Sequence, residues 1–262
     1  MPRWIPAVLL LTLAACGGGG GSTAPTPTPV AAPVLNGSTD LVFIGQQVTF
    51  SATGTGPFRW GGDQPGVATI DANTGVVTGI GTGRVTIWAD NAGGHTTRLL
   101  RVLPSYNGSW TGSYTLLSCQ STAGFASAGF CGSFFQGQIL SIAFQMTQSR
   151  DSVTGAFALG SLQGTLNSGV VNEDGSLPLS GTITSGTSTV QLSNLRATSA
   201  SAGTMKGAFD QIWSSTTLSG TGRLACDIRD LTRTSGAPGV SSQRARDPYS
   251  LEQMLRAVLD RL

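Results

Sequence analysis

The chain has 262 residues, enough for two domains of ordinary size, and only 11% of them are charged. Fifteen basic against 13 acidic residues leave a formal charge of +2, which offers no footprint for nucleic acid and no acidic or basic surface to speak of. The 37 glycines, with many Ser and Thr, point to short strands and frequent turns rather than helices.

At the start, Arg3 supplies a minimal positive region, Ile5 to Leu13 an apolar run, and small residues precede Cys16. This is the layout of an exported signal segment, and the run is too short to span a bilayer. Leu13-Ala14-Ala15-Cys16 resembles the lipobox of bacterial lipoproteins. The resemblance implies cleavage before Cys16 and lipidation of Cys16, so that the membrane is the first expected partner. Several acyl chains at one cysteine give stable anchoring. Gly17 after the cysteine, by the sorting rule of that family, implies an outer-membrane location in a cell that has one. A simple cleaved secretory peptide is the alternative. Residues 17–33 then read as a linker, a glycine run followed by Thr-Pro alternation that favours extended polyproline II.

From 34 to 104 the pattern changes to short β-branched and aromatic runs between Gly, Asp and Asn turns. Strands are expected at residues 41–45, 47–52, 57–60, 67–71, 75–80, 84–90 and 96–103, a spacing that argues for a β-sandwich with Trp60 in its core. Asp71 to Gly75 reads as a turn. Gly45-Gln46-Gln47-Val48, Trp60, Val67-Ala68-Thr69-Ile70-Asp71, Gly75-Val76-Val77-Thr78-Gly79 and Gly83 before Val85-Thr86-Ile87 are similar to the bacterial immunoglobulin-like domain of group 2 (Big-2). That family implies a spacer or adhesion module without catalytic residues. The chain departs from it at Gly61-Gly62, where serine-type residues usually follow the Trp. His95, the single histidine, falls in a turn and reads as a solvated side chain.

A second domain is expected from 105 to 233, opening at Trp110-Thr111-Gly112-Ser113-Tyr114. Eight runs follow at 112–117, 138–148, 153–160, 162–168, 177–185, 188–197, 205–213 and 218–228, which suggests an antiparallel meander closed into a barrel-like domain without free edges. Glycines recur inside the strands, at 112, 155, 164, 181, 207 and 222, where they permit the coiling that closure needs. Glu173-Asp174-Gly175 reads as a hairpin turn, with too few oxygen ligands for a cation. Ser109-Trp110-Thr111-Gly112 is weakly similar to the opening of small lipocalin- and avidin-type barrels; the likeness stops there and brings no ligand residue with it.

Such a barrel can be filled by side chains or can hold one small ligand. Trp110, Tyr114, Phe144, Phe157, Phe209 and Trp213 are candidates to line a cavity, or else ordinary core. The long segment from Cys119 to Phe135 carries Phe125, Phe130, Phe134 and Phe135 and suits a lid, a contact surface or packing across the barrel end. With Cys16 taken by lipid, Cys119, Cys131 and Cys226 allow one disulfide and one leftover thiol. Cys119 with Cys131 closes a short loop, Cys119 with Cys226 ties a first strand to a last one, and the local pair is slightly preferred. No CxxC spacing or nearby histidine supports a metal site.

Residues 234–247 read as a Gly/Ser/Pro linker, and 248–262 as a short amphipathic helix. Leu251, Met254, Leu255, Val258, Leu259 and Leu262 form its apolar stripe, and Ser250 with Gln253 fits a capping box. A helix this short needs something to bury its stripe against: its own domains, a partner protein, a second copy or the membrane surface. Arg256 and Arg261 make a poor basic face for lipid.

No nucleophile with its base, paired acid and base, or metal cluster stands out, although Asp210, Asp227 and Asp230 are distant enough in sequence to converge. No cofactor is expected. The expectation is an all-β, lipid-anchored, non-enzymatic envelope protein whose immunoglobulin-like spacer presents a barrel-like domain for binding or adhesion to a protein, glycan or small molecule. A structural component assembling through the terminal helix is the alternative, and an unrecognised hydrolase a distant third.

Overall fold

The computed structural model describes residues 28–201 and 203–234. Residues 1–27, with Cys16, the expected signal segment and most of the expected linker, and the whole stretch from 235 to 262, with its expected apolar stripe, lie outside the described residues. The fold is all-β, with a sandwich followed by a closed barrel.

In the sandwich, one sheet has the order β2 (Leu41–Phe43), β9 (Gly94–Leu103), β8 (Gly83–Asn91), β5 (Arg59–Gly62), and the other β3 (Gln47–Thr49), β7 (Val76–Gly79), β6 (Ala68–Ile70). Period-2 alternation sends Val85, Ile87 and Ala89 of β8 inward, where they meet Val42, Phe50, Trp60, Val77, Leu100 and Val102. The run at 47–52 breaks at Phe50, whose amide donates to the Gly75 carbonyl. Its second half, β4 (Ser51–Thr53), leaves the sheet to pair with β1 (Val34–Asn36), a strand too short and exposed to show in the sequence pattern.

The glycine pair at positions 61 and 62 has a steric reason. A methyl group at Gly61 would lie 2.5 Å from the Trp88 ring, and one at Gly62 2.5 Å from Ile70 Cδ1. Glycine lets the sheet pass beneath Trp88.

The barrel is built in chain order from β10 (Gly108–Ser121), β11 (Ile139–Ser149), β12 (Ser152–Leu159), β13 (Leu162–Val170), β14 (Leu177–Ser185), β15 (Ser188–Ser201), β16 (Thr204–Ser215) and β17 (Gly222–Thr234), and β17 pairs back onto β10. Gly155, Gly181 and Gly207 sit at register shifts, and a Cβ at Gly207 would come within 2.5 Å of the Arg196 carbonyl oxygen. Bulges at glycine coil the strands enough for the sheet to meet itself. Inward positions on β11 are Leu140, Ile142, Phe144 and Met146, whereas Ser141, Gln145 and Thr147 face solvent. This wall is apolar inside and polar outside, the reverse of a membrane-spanning barrel.

Residues 104–107 join the two units and also plug the near end of the barrel. Tyr106 is fully buried; its single hydroxyl proton is shared between the carbonyls of Gly175 (2.7 Å) and Ala197 (3.1 Å), and its own carbonyl accepts from Trp110 Nε1 (2.8 Å). Leu41 and Leu103 of the sandwich belong to the barrel's core cluster. Around this contact Arg101 pairs with Asp151 (3.0 Å), Arg150 with Asp40 (2.7 Å) and Arg84 with Glu173. The Glu173-Asp174-Gly175 turn therefore does more than reverse the chain, since Glu173 meets Arg84 and the Asp174 carbonyl accepts from Thr82 of the sandwich.

Candidate functional site: the capped barrel

The end of the barrel away from the sandwich is closed by the segment between β10 and β11. It forms a one-turn helix α1 (Ala123–Ser127) and a 3-10 turn (Phe130–Ser133), held by a disulfide between Cys119 and Cys131. The local pairing follows from the fold, because Cys226 points into the core and stays a free thiol. Thr122 and Thr221 exchange hydrogen bonds, Thr122 N to the Thr221 carbonyl (2.9 Å) and Thr221 N to Thr122 Oγ1 (3.0 Å). Gly124 N donates to Ser219 Oγ (3.2 Å), so the cap is stitched to the loop before β17.

The cap's phenylalanines divide sharply. Phe130 is buried, with its ring centroid 5.1 Å from Phe134, 5.4 Å from Phe125 and 5.9 Å from Trp213 at the top of the interior. Gly222 lies against the Phe130 ring, where a Cβ would collide. Phe125 is buried too and Phe134 partly so, whereas Phe135 is 65% exposed. Phe125 and Phe130 thus act as a stopper, and Phe135 belongs to the outer surface.

Trp110, Tyr114 and Trp213 are each at most 1% exposed. They pack with Phe144, Phe157 and Phe209, the Tyr114 and Phe209 rings meeting edge to face at 5.2 Å. Among these aromatics stands a small polar group that sequence reasoning missed. Gln211 is fully buried, accepts from Trp213 Nε1 (3.2 Å) and donates to Cys226 Sγ (3.5 Å). The Tyr114 hydroxyl is buried near Gln211 and Cys226 without a hydrogen bond of ordinary geometry. Burial raises the pKa of the Tyr114 phenol and pushes the Cys226 thiol up to about 12, so both stay neutral and Cys226 is a poor nucleophile. Alternation places Gln211 inward between Phe209 and Trp213, a signal legible in principle once β16 and its facing are known.

The acidic residues that could have converged do not. Burial tends to raise the Asp210 pKa, but Arg223 (2.8 Å) and Asn194 (2.9 Å) outweigh it and hold the carboxylate below its usual range. Asp230 lies near Lys206 (3.6 Å), and Asp227 stands opposite Ala208 in the β16–β17 ladder. His95, expected in a turn, is instead the second residue of β9, where it stands opposite Asp90, pairs with its carboxylate and lies by Trp88. Among the described residues no group of three or more His, Cys, Asp and Glu side chains could hold a metal ion.

No family model matches the chain. Among curated proteins, too, there is no match. Among solved structures, the chain is similar to human protocadherin-24 EC1-2 at 13% identity, over 80% of this chain and 100% of that one, with a TM-score of 0.30. A likeness this slight carries neither fold nor function across, and the residues themselves must do so.

Proposed function

We propose that this is a non-enzymatic, lipid-anchored protein of the bacterial cell envelope, in which the immunoglobulin-like sandwich is a spacer and the barrel a binding or adhesion module. In this reading Cys16 holds the protein in the membrane, the outer one where the cell has two. The Gly and Thr-Pro linker then carries the sandwich and barrel outward. The observation that supports it best is the joint. Tyr106, buried and hydrogen-bonded to barrel carbonyls, seats the connecting segment in one end of the barrel, where Leu41 and Leu103 of the sandwich also pack, so in this reading the capped end at the other side would be the presented face. A stoppered interior favours recognition through the outer surface over capture of a small molecule inside.

The test is made in cells displaying the full chain. Cys16→Ala should move the protein from the membrane pellet to the soluble fraction and abolish any adhesion of those cells to glycan- or protein-coated surfaces that the wild type supports. Retention of the variant in the membrane would overturn the anchor. Adhesion no greater than that of cells without the protein, across such surfaces, would overturn the binding role.

A further inference from the structure

Three exposed apolar side chains gather on one flank of the barrel at its capped end. Leu117 of β10 is 46% exposed, Ile139 of β11 62% and Phe135, in the turn between them, 65%. Thr115 faces Ile139 in the β10–β11 ladder, and the Gly137 amide donates to the Leu116 carbonyl (2.8 Å), so Leu117 and Ile139 are diagonal neighbours on the outer face. The Gln138 amide donates to the Phe135 carbonyl (3.1 Å), closing the turn that holds Phe135 beside them. Thr111, Ser113, Ser141 and Gln145 are exposed on the same two strands, which makes the cluster an apolar island in a polar wall.

The chain beyond Thr234 is placed to cover it. Thr234 stands opposite Ser109 on β10, the same strand that carries Leu117. From Ser109 to Thr115, beside Ile139, is roughly 20 Å at the rise of a strand. Residues 235–250 are rich in Gly, Ser and Pro. A Gly/Ser-rich chain of about sixteen residues has an r.m.s. span of about 22 Å, and effective concentration is greatest when span and separation match. After that tether come Leu251, Met254, Leu255, Val258, Leu259 and Leu262, one apolar stripe at helical spacing that cannot stand alone in water.

We propose that residues 251–262 dock in cis on Leu117, Phe135 and Ile139, as an amphipathic helix strapped across the flank of the barrel's capped end. The strap buries both apolar surfaces at once. It stands independently of the adhesion reading.

The test is amide hydrogen exchange followed by mass spectrometry on the full chain. Amides of 251–262 should exchange at least about tenfold more slowly than in the isolated peptide, equally at low and high protein concentration and without membranes. The triple variant Leu117→Ser/Phe135→Ser/Ile139→Ser should return them to the peptide rate. Leu255→Asp should do the same and also speed exchange in 135–142. Near-UV circular dichroism of the buried tryptophans checks that the triple variant is folded; should it unfold, Leu255→Asp decides by itself, since its position is outside the barrel. The proposal is overturned by peptide-like exchange in the wild type, by protection that survives the substitutions, by protection that disappears on dilution and so reports a second copy, or by protection seen only with phosphatidylglycerol vesicles.

Discussion

Removing the disulfide tests whether the cap is part of the barrel's cooperative fold or a separable lid. The double variant Cys119→Ser/Cys131→Ser suits this, since both positions are only half buried and serine fits either. The bridge spans a sequence separation of 12 residues. Cross-linking a loop of that length removes about 2.8 kcal/mol of chain entropy from the unfolded state at 25 °C. The folded state keeps its other attachments, namely the Thr122–Thr221 hydrogen bonds and Phe130 over Trp213. If the cap unfolds with the barrel, the whole 2.8 kcal/mol or so is lost, roughly a hundredfold in the folding equilibrium and about 6 to 11 °C in Tm for a unit of this size. Urea unfolding followed by fluorescence of Trp110 and Trp213 measures it. A loss under about 1 kcal/mol, with an unchanged m-value, would refute the reasoning, because it would mean that the cap opens before the barrel does.

Tyr106→Phe keeps the ring and deletes the shared hydrogen bond of the joint, so it should cost about 1 to 3 kcal/mol in urea unfolding; no measurable loss would mean that those carbonyls find other donors. Asp40, Asp151 and Glu173 are held below their ordinary values of 3.8, 3.8 and 4.5 by hydrogen bonds from Arg150, Arg101 and Arg84. Because the unfolded chain takes up those protons first, the stabilisation is complete above the ordinary values and is lost as pH falls through the depressed ones. Tm should therefore drop on acidification below about pH 4.5. Asp151→Asn should flatten the drop, because its ion pair with Arg101 is the most enclosed of the three, and a Tm that rises toward pH 3 would contradict the assignment. Cys226, with its thiol pushed up to about 12 by burial, should resist an aromatic disulfide reagent at pH 8 and react fully in urea. Rapid labelling of the folded protein would show that the interior is open.

Much of the architecture is legible in local pattern. Alternation marks the β11 and β14 runs, turn residues separate them, and glycines at 155, 181 and 207 announce a sheet that bends. β1 escaped because three mostly exposed residues leave no periodic signature, and the break at Phe50 because a strand that changes sheets keeps its local pattern.

What the sequence by itself determined is the class of the fold, since side-chain alternation and turn chemistry act between near neighbours and are written residue by residue. The tertiary structure decided everything that depends on partners far along the chain. Phe130 and Phe135 stand in nearly the same composition, yet one is a stopper and the other is surface, because the Cys119–Cys131 bridge and the Gly222 hollow orient the cap. Glu173 reads as a turn residue until Arg84 of the other unit meets it, 89 positions away. Gln211 drew no notice in the sequence, and only the closed barrel, which gives β16 an inside face, shows it as a buried amide among aromatic rings. Burial and long-range pairing are properties of the closed chain, and no local stretch of it carries them.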